Sequence, residues 1–155
     1  MGFEELADDL KKGIGLVRVN AAVELGKLKD VKAISALVAA LEDPNMAVRN
    51  NAAFALGELG AQEAVPHLIV MLHDPEERVR KSAVKALGNL GARDAVTPLM
   101  LILDKDASPV VRKSAIRSLG QIGDPKAFHA VERFASHQDP ALADMAKKAV
   151  EKLKK

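Results

Sequence analysis

Three segments of this chain are copies of one another. AVRNNAAFALGELG ends at Gly60, RVRKSAVKALGNLG at Gly91 and VVRKSAIRSLGQIG at Gly123. Arg49, Arg80 and Arg112 fall in one column, Ala52, Ala83 and Ala115 in a second, and Leu56, Leu87 and Leu119 in a third. Each copy closes on a glycine pair: Gly57/Gly60, Gly88/Gly91 and Gly120/Gly123. The step is 31 residues and then 32, the extra one lying in LDKDASP before Pro109, a connection where an insertion costs little. A repeat of this length is one supersecondary unit that cannot bury its apolar face alone. The copies must therefore stack, and the core must be a seam running along the stack.

An earlier copy, LVRVNAAVELGKL, aligns Arg18 with Arg49 and Gly26 with Gly57, and carries Lys29 where the second glycine stands elsewhere. A last copy, DMAKKAVEKL, keeps Ala149, Val150 and Leu153, and this alignment puts Ala146 in the arginine column.

Each copy reads as a helix, because apolar residues such as Val79, Ala83, Ala86, Leu87 and Leu90 recur at spacings of three and four. The second glycine of each pair suits a C′ position, where a positive φ is cheap. The first lies inside the last turn, where glycine costs up to about 1 kcal/mol, and a close helix–helix contact would explain it there. A second helix follows each first one: VKAISALVAALE, EAVPHLIVMLH, DAVTPLMLILD and KAFHAVERFAS. Their columns are Ala33, Ala64, Ala95, Ala127 and Leu37, Leu68, Leu99, Val131. Pro66 and Pro98 fall in or near the first turn, where a missing N–H is tolerated. Asp43-Pro44 and Asp74-Pro75 read as N-cap and N1 of the next first helix. Counting back from Leu37 and Leu41 lands on Leu6 and Leu10, so residues 3–12 form an unpaired second helix.

The expected architecture is all-α: a solenoid of about five stacked antiparallel helix pairs forming a single domain over 1–155. Its parts are a half-repeat at 3–12, repeats at about 13–43, 44–74, 75–106 and 107–139, and a closing half-repeat at 140–155.

The repeated residues, D-P-x-x-x-V-R-x-x-A-x-x-A-L-G-x-L-G followed by x-A-V-x-x-L, resemble the short HEAT-like repeat family, a type also found in phycobilin lyases, over about residues 3–153. The resemblance implies a solenoid whose second helices line the concave face. It also implies that Asp43, Asp74 and Asp106, with Arg18, Arg49, Arg80 and Arg112, form a structural ladder along the stack. The family's architecture serves many purposes.

Composition narrows those purposes. The chain is 48% hydrophobic, with 26 alanines and 19 leucines, and lacks Cys, Trp and Tyr. Zero cysteines remove disulfides, thiolate nucleophiles and Cys-ligated metals. No apolar run approaches the roughly 20 residues of a membrane span. The acidic start MGFEELADDLKKG lacks the basic residues and apolar run of a signal peptide. A cytoplasmic protein is expected. A net charge of +2 does not by itself argue for a nucleic-acid partner.

Catalytic motifs are missing. There is no HExxH, His-Glu dipeptide, GxSxG or phosphate loop. Family members that hydroxylate proteins use His-Glu dipeptides as di-iron ligands, and that activity is not implied for this chain. His129 and Glu132 share a helix face, yet two ligands make no metal site. Asp8/Asp9 and Glu76/Glu77 lie where carboxylates complement a helix dipole or face solvent. Neither metal nor cofactor is expected, and the chain reads as non-catalytic.

Two surface features remain. Lys81, Lys85, Lys113 and Arg117 cluster on neighbouring first helices, without interleaved aromatics, and read as a solvated convex face. LIVML at 68–72 and LMLIL at 99–103 are five consecutive apolar residues each. Five positions at 100° cover a whole helix circumference, so a helix packed on one side cannot bury them all. Ala39, Val70 and Leu101 share the column where repeats of the resembled family usually carry a polar residue. With Pro66, His67, His73 and Thr97 they form the candidate partner-binding face. The reading is a scaffold that recognises a protein or peptide, with homodimerisation open. The alternatives are a lyase-like accessory subunit acting on a tetrapyrrole-carrying partner, and nucleic-acid binding through the basic first-helix face.

Overall fold

The computed structural model describes residues 1–154, and every regular element among them is helical. In chain order the helices are α1 (Phe3–Lys12), α2 (Gly15–Leu28), α3 (Ala33–Ala40), α4 (Met46–Glu58), α5 (Val65–Met71), α6 (Glu77–Asn89), α7 (Val96–Lys105), α8 (Pro109–Ile122), α9 (Phe128–Glu132) and α10 (Pro140–Leu153). The second helices α3, α5 and α9 are shorter than the segments that announce them. Short 3₁₀ turns at Gln62–Ala64, Arg93–Ala95 and Pro125–Ala127 lead into α5, α7 and α9. Among the described residues no helix is long and apolar enough to cross a membrane.

The even-numbered helices pack on one another in sequence, α2 on α4, α4 on α6, α6 on α8 and α8 on α10. Small residues set that spacing. A Cβ built on Gly26 would stand 2.8 Å from the Ala55 Cβ, and one on Gly57 2.8 Å from the Ala86 Cα. On Gly88 it would meet the Ser118 hydroxyl at 2.5 Å, and on Gly120 the Ala149 Cβ at 3.0 Å. The interior glycines are thus the points where backbones touch. The closing glycines Gly60, Gly91 and Gly123 have φ of +67°, +60° and +72°, and Lys29 takes the same left-handed conformation at +52°.

These contacts correct the register of the last copy. Ala149 meets Gly120 as Ser118 meets Gly88 and Ala86 meets Gly57. Counting from that contact, Ala146 joins the alanine column of Ala52, Ala83 and Ala115, and Ala143 takes the arginine column. Sequence similarity slipped by one short helical step because alanines recur at three-residue spacing there.

Two further expectations change. Asp43-Pro44 and Asp74-Pro75 do not cap helices: α4 and α6 start later, with Asn45 and Glu76 at the N-cap. The aspartates instead accept the N–H of those residues, at 2.8 Å for Asn45 and 2.9 Å for Glu76. The expected arrangement does occur at Asp139-Pro140, where Asp139 caps α10.

The second correction concerns the faces. The odd-numbered helices do not pack on one another as the even ones do; α5 and α7 meet the 3₁₀ turn that opens the next second helix. Helices held closest together lie on the shorter arc of a curved stack. The first helices α2, α4, α6, α8 and α10 therefore form the inner, concave layer, and the second helices the splayed outer one. Between the layers runs a continuous seam. Leu25, Leu56, Leu87 and Leu119 from one side, and Leu37, Leu68, Leu99 and Val131 from the other, are fully buried. Each such leucine contributes about 1.5–3 kcal/mol. Leu6 and Leu10 bury α1 into the same seam.

Candidate binding surfaces

Polar geometry in this fold is concentrated in the Asp–Arg rows. Three of the four arginines reach past their own repeat to the next linker. Arg18 Nε donates to Asp43 at 2.7 Å, Arg49 Nε to Asp74 at 2.8 Å and Arg80 Nε to Asp106 at 2.8 Å. In each case Nη2 donates to the other carboxylate oxygen, which makes the pair bidentate. The six-residue spacing within a repeat is used differently: Nη1 of Arg49 and Arg80 donates to the main-chain carbonyls of Asp43 and Asp74. Hydrogen bonds to the aspartates hold these guanidiniums above their ordinary range. Burial pushes the Asp43 and Asp106 carboxyls up. Hydrogen bonds from Arg18 or Arg80 and from the next backbone N–H outweigh it, so both end below their ordinary value.

The row ends one layer early. Arg112 Nε donates to the Leu103 carbonyl, its guanidinium sits 5.4 Å from the Phe134 ring, and no carboxylate among the described residues pairs with it. His137 occupies the register position of Asp106, and its Nδ1 accepts the Asp139 N–H at 3.1 Å as the aspartates do elsewhere. Arg112 therefore departs from the implied ladder, because His137 stands where the other rows carry an aspartate.

On the outer layer the apolar runs divide as helix geometry demands. Leu68 and Leu72 are buried, as are Leu99, Ile102 and Leu103, while Val70 is 62% and Leu101 50% exposed. Neighbouring repeats do not cover these two side chains. Ala39, Pro66, His67, His73 and Thr97 are also exposed, on the outer, splayed layer rather than the expected concave face. The Thr97 hydroxyl accepts from Lys126 Nζ at 2.9 Å. Ala39 lines a groove of about 530 Å³ between α1 and α3 with Phe3, Ala7 and Lys32. His129 Nδ1 lies 3.5 Å from Glu132, and among the described residues no three His, Asp or Glu side chains converge on a point.

The basic cluster faces inward, not outward. Lys81, Lys85 and Arg78 line a cleft of about 340 Å³ between α4 and α6, together with Asn50, Ser82 and Phe54. Phe54 is 56% exposed, so an aromatic side chain does accompany the cations, supplied by the preceding repeat. The signal was in the register: Phe54, Lys85 and Arg117 share one column, as do Asn50, Lys81 and Lys113. Lys113 pairs with Asp139 at 2.8 Å.

The HEAT repeats family model matches residues 4–88, 35–116 and 96–155. Among curated proteins, none matches the chain. Of solved structures, a chain in the complex of CpcE and CpcF of phycocyanin lyase from Nostoc sp. PCC7120 is 31% identical, with a TM-score of 0.89 over 99% of this chain. This chain spans 65% of the length of that one. A designed armadillo repeat protein in complex with the peptide (KR)4 is 23% identical, covering 97% of this chain and 81% of the other, at TM-score 0.81. Human deoxyhypusine hydroxylase is 19% identical, covering 98% and 73%, at TM-score 0.59. At those identities the last two share the fold alone. The architecture is used by binding proteins and enzymes alike.

Proposed function

The chain belongs to the HEAT repeats family, and from that premise we propose that it is a non-catalytic binding module for a protein or peptide partner. The outer strip carries the contact. The observation behind this reading is the exposure of Val70 and Leu101, 62% and 50%, in consecutive layers of a stack that buries their neighbours. Exposed apolar rows of this kind mark interfaces. Covering both side chains is worth about 1.5–3 kcal/mol each, enough for a tenfold or greater change in affinity. His67, His73 and Thr97 supply the polar rim of this surface, and Pro66 adds to its apolar part.

Val70→Lys with Leu101→Lys is the test. Both side chains are half-exposed or more, so helicity and thermal stability are expected to be retained, while partner binding, or self-association measured by light scattering, is lost. A double variant that unfolds would assign these residues to the core and end the proposal.

A second reading rests on the 31% identity to a chain of the CpcE/CpcF complex. In it, this chain is an accessory subunit or lyase-like protein acting on a tetrapyrrole-carrying partner. A shift in tetrapyrrole absorbance on adding this protein would support it, and an unchanged spectrum would count against it.

A further inference from the structure

The inner layer changes character along its length. At the amino-terminal end Leu16, Asn20 and Phe54 are exposed and Val23 is half-buried. Val23 and Phe54 form the apolar walls of a cleft of about 220 Å³ between α2 and α4, with Lys27, Lys29 and Asn51 also lining it. Phe54 also forms a wall of the next cleft, whose other lining includes Arg78, Lys81 and Lys85. Farther along, Arg117 and Lys152 line a third, of about 380 Å³, between α8 and α10.

Charge pairing divides the cations of the inner layer into two groups. Arg18, Arg49 and Arg80 are neutralised by aspartates, and Lys113 and Lys148 have carboxylate partners. Arg78, Lys81, Lys85, Arg117 and Lys152 have none within 4.0 Å among the described residues. Unpaired cations on a concave surface raise the local concentration of an anionic chain. The acidic groups in these clefts are Glu58, at the α2–α4 end, and Asp144, which Lys148 already engages.

We infer that the inner face binds an acidic polypeptide segment that carries apolar side chains at one end. The apolar residues enter the Val23–Phe54 cleft, and the carboxylates lie along Arg78, Lys81, Lys85 and Arg117. The Asn50 Oδ1 accepts the Ser82 hydroxyl at 2.7 Å, which leaves its amide N–H groups to donate to a peptide carbonyl. The apolar end argues for a polypeptide over a nucleic-acid strand. A strand needs an aromatic platform for successive bases, whereas Leu16 and Val23 offer none and Phe54 stands alone. With layers about 8–10 Å apart, five layers match roughly 12 residues of extended chain at about 3.3 Å each.

The probe is a fluorescein-labelled peptide of about 12 residues, with Leu and Phe in one half and Asp and Glu in the other, followed by anisotropy. Binding is expected to weaken about tenfold or more as ionic strength rises from about 0.1 M to 1 M, because the Debye length falls from about 10 to 3 Å. Lys81→Glu with Lys85→Glu should weaken it by a similar factor, and Phe54→Ala should weaken this peptide but not an all-Glu one. All three residues are at the surface, and circular dichroism checks their folding; Arg117→Glu is the second charge variant. Val70→Lys with Leu101→Lys is expected to leave this binding unchanged, which separates the two surfaces. No binding at low salt, equal binding of a Lys-substituted peptide, or tighter binding of a thymidine oligonucleotide would overturn the inference.

Discussion

Replacing Gly57 by Ala tests whether close backbone contact, rather than helix propensity, controls the inner layer. In an isolated helix the change would be favourable by about 1 kcal/mol. Here the new Cβ would lie 2.8 Å from the Ala86 Cα and 2.9 Å from its Cβ. Ordinary carbon–carbon contact is about 3.5–4.0 Å, so α4 and α6 would have to part by roughly 1 Å. The neighbours that lose contact include Ala53, Leu56 and Ala83, all fully buried. Overpacking of a dense core costs about 1–3 kcal/mol, and backbone cannot rotate away as a side chain can. The upper part of that range applies, which leaves a net destabilisation of about 1–2 kcal/mol. For a chain of this size the melting midpoint should fall by roughly 2–8 °C, read by far-UV circular dichroism. Gly26→Ala is the companion. Its new carbon meets the Ala55 Cβ at 2.8 Å but the Ala55 Cα only at 3.5 Å. Adding Ala55→Gly should therefore relieve Gly26→Ala, whereas Ala86→Gly should relieve Gly57→Ala only in part. A raised midpoint for Gly57→Ala, or full rescue by Ala86→Gly, would refute the reasoning.

Arg80→Ala leaves the Asp106 carboxylate, 4% exposed, without its cation, a change that typically costs about 3–5 kcal/mol. Arg112→Ala removes a carbonyl hydrogen bond and a ring contact but strands no anion, so its thermal midpoint should fall clearly less; equal losses would show that the carboxylate pairing is not what matters. Acid should weaken the same rows. Asp43 and Asp106 titrate lower in the folded chain than unfolded, so their stabilisation is complete above the ordinary carboxylate pKa of about 3.9 and is lost as pH falls through their lower folded values. Midpoints measured from neutral pH downward should stay level as far as these groups are concerned and drop below about pH 4, with a smaller drop in Asp106→Asn.

How much was legible can be judged from single residues. The paired-glycine columns announced both of their structural jobs, because a left-handed C′ and a backbone contact each exclude a side chain. Val70 and Leu101 announced their exposure, since five apolar residues in a row exceed what one buried face accepts. Phe54 was overlooked although its column holds Lys85 and Arg117, because an aromatic among small apolar residues reads as core until its neighbours are placed.

By itself, then, the sequence determined the helical repeat, its register over four copies, the buried columns and the positions where glycine must stand. Those follow from periodicity and local sterics, which act within one repeat and its neighbour. Only the tertiary structure decided which layer is concave, that Arg18, Arg49 and Arg80 pair with the aspartate of the next linker while Arg112 does not, and that the last copy is shifted by one helical step. These depend on distances between repeats. The tight Gly–Ala contacts draw the first helices together and splay the second ones, and that curvature turns the basic columns inward and the Val70–Leu101 strip outward.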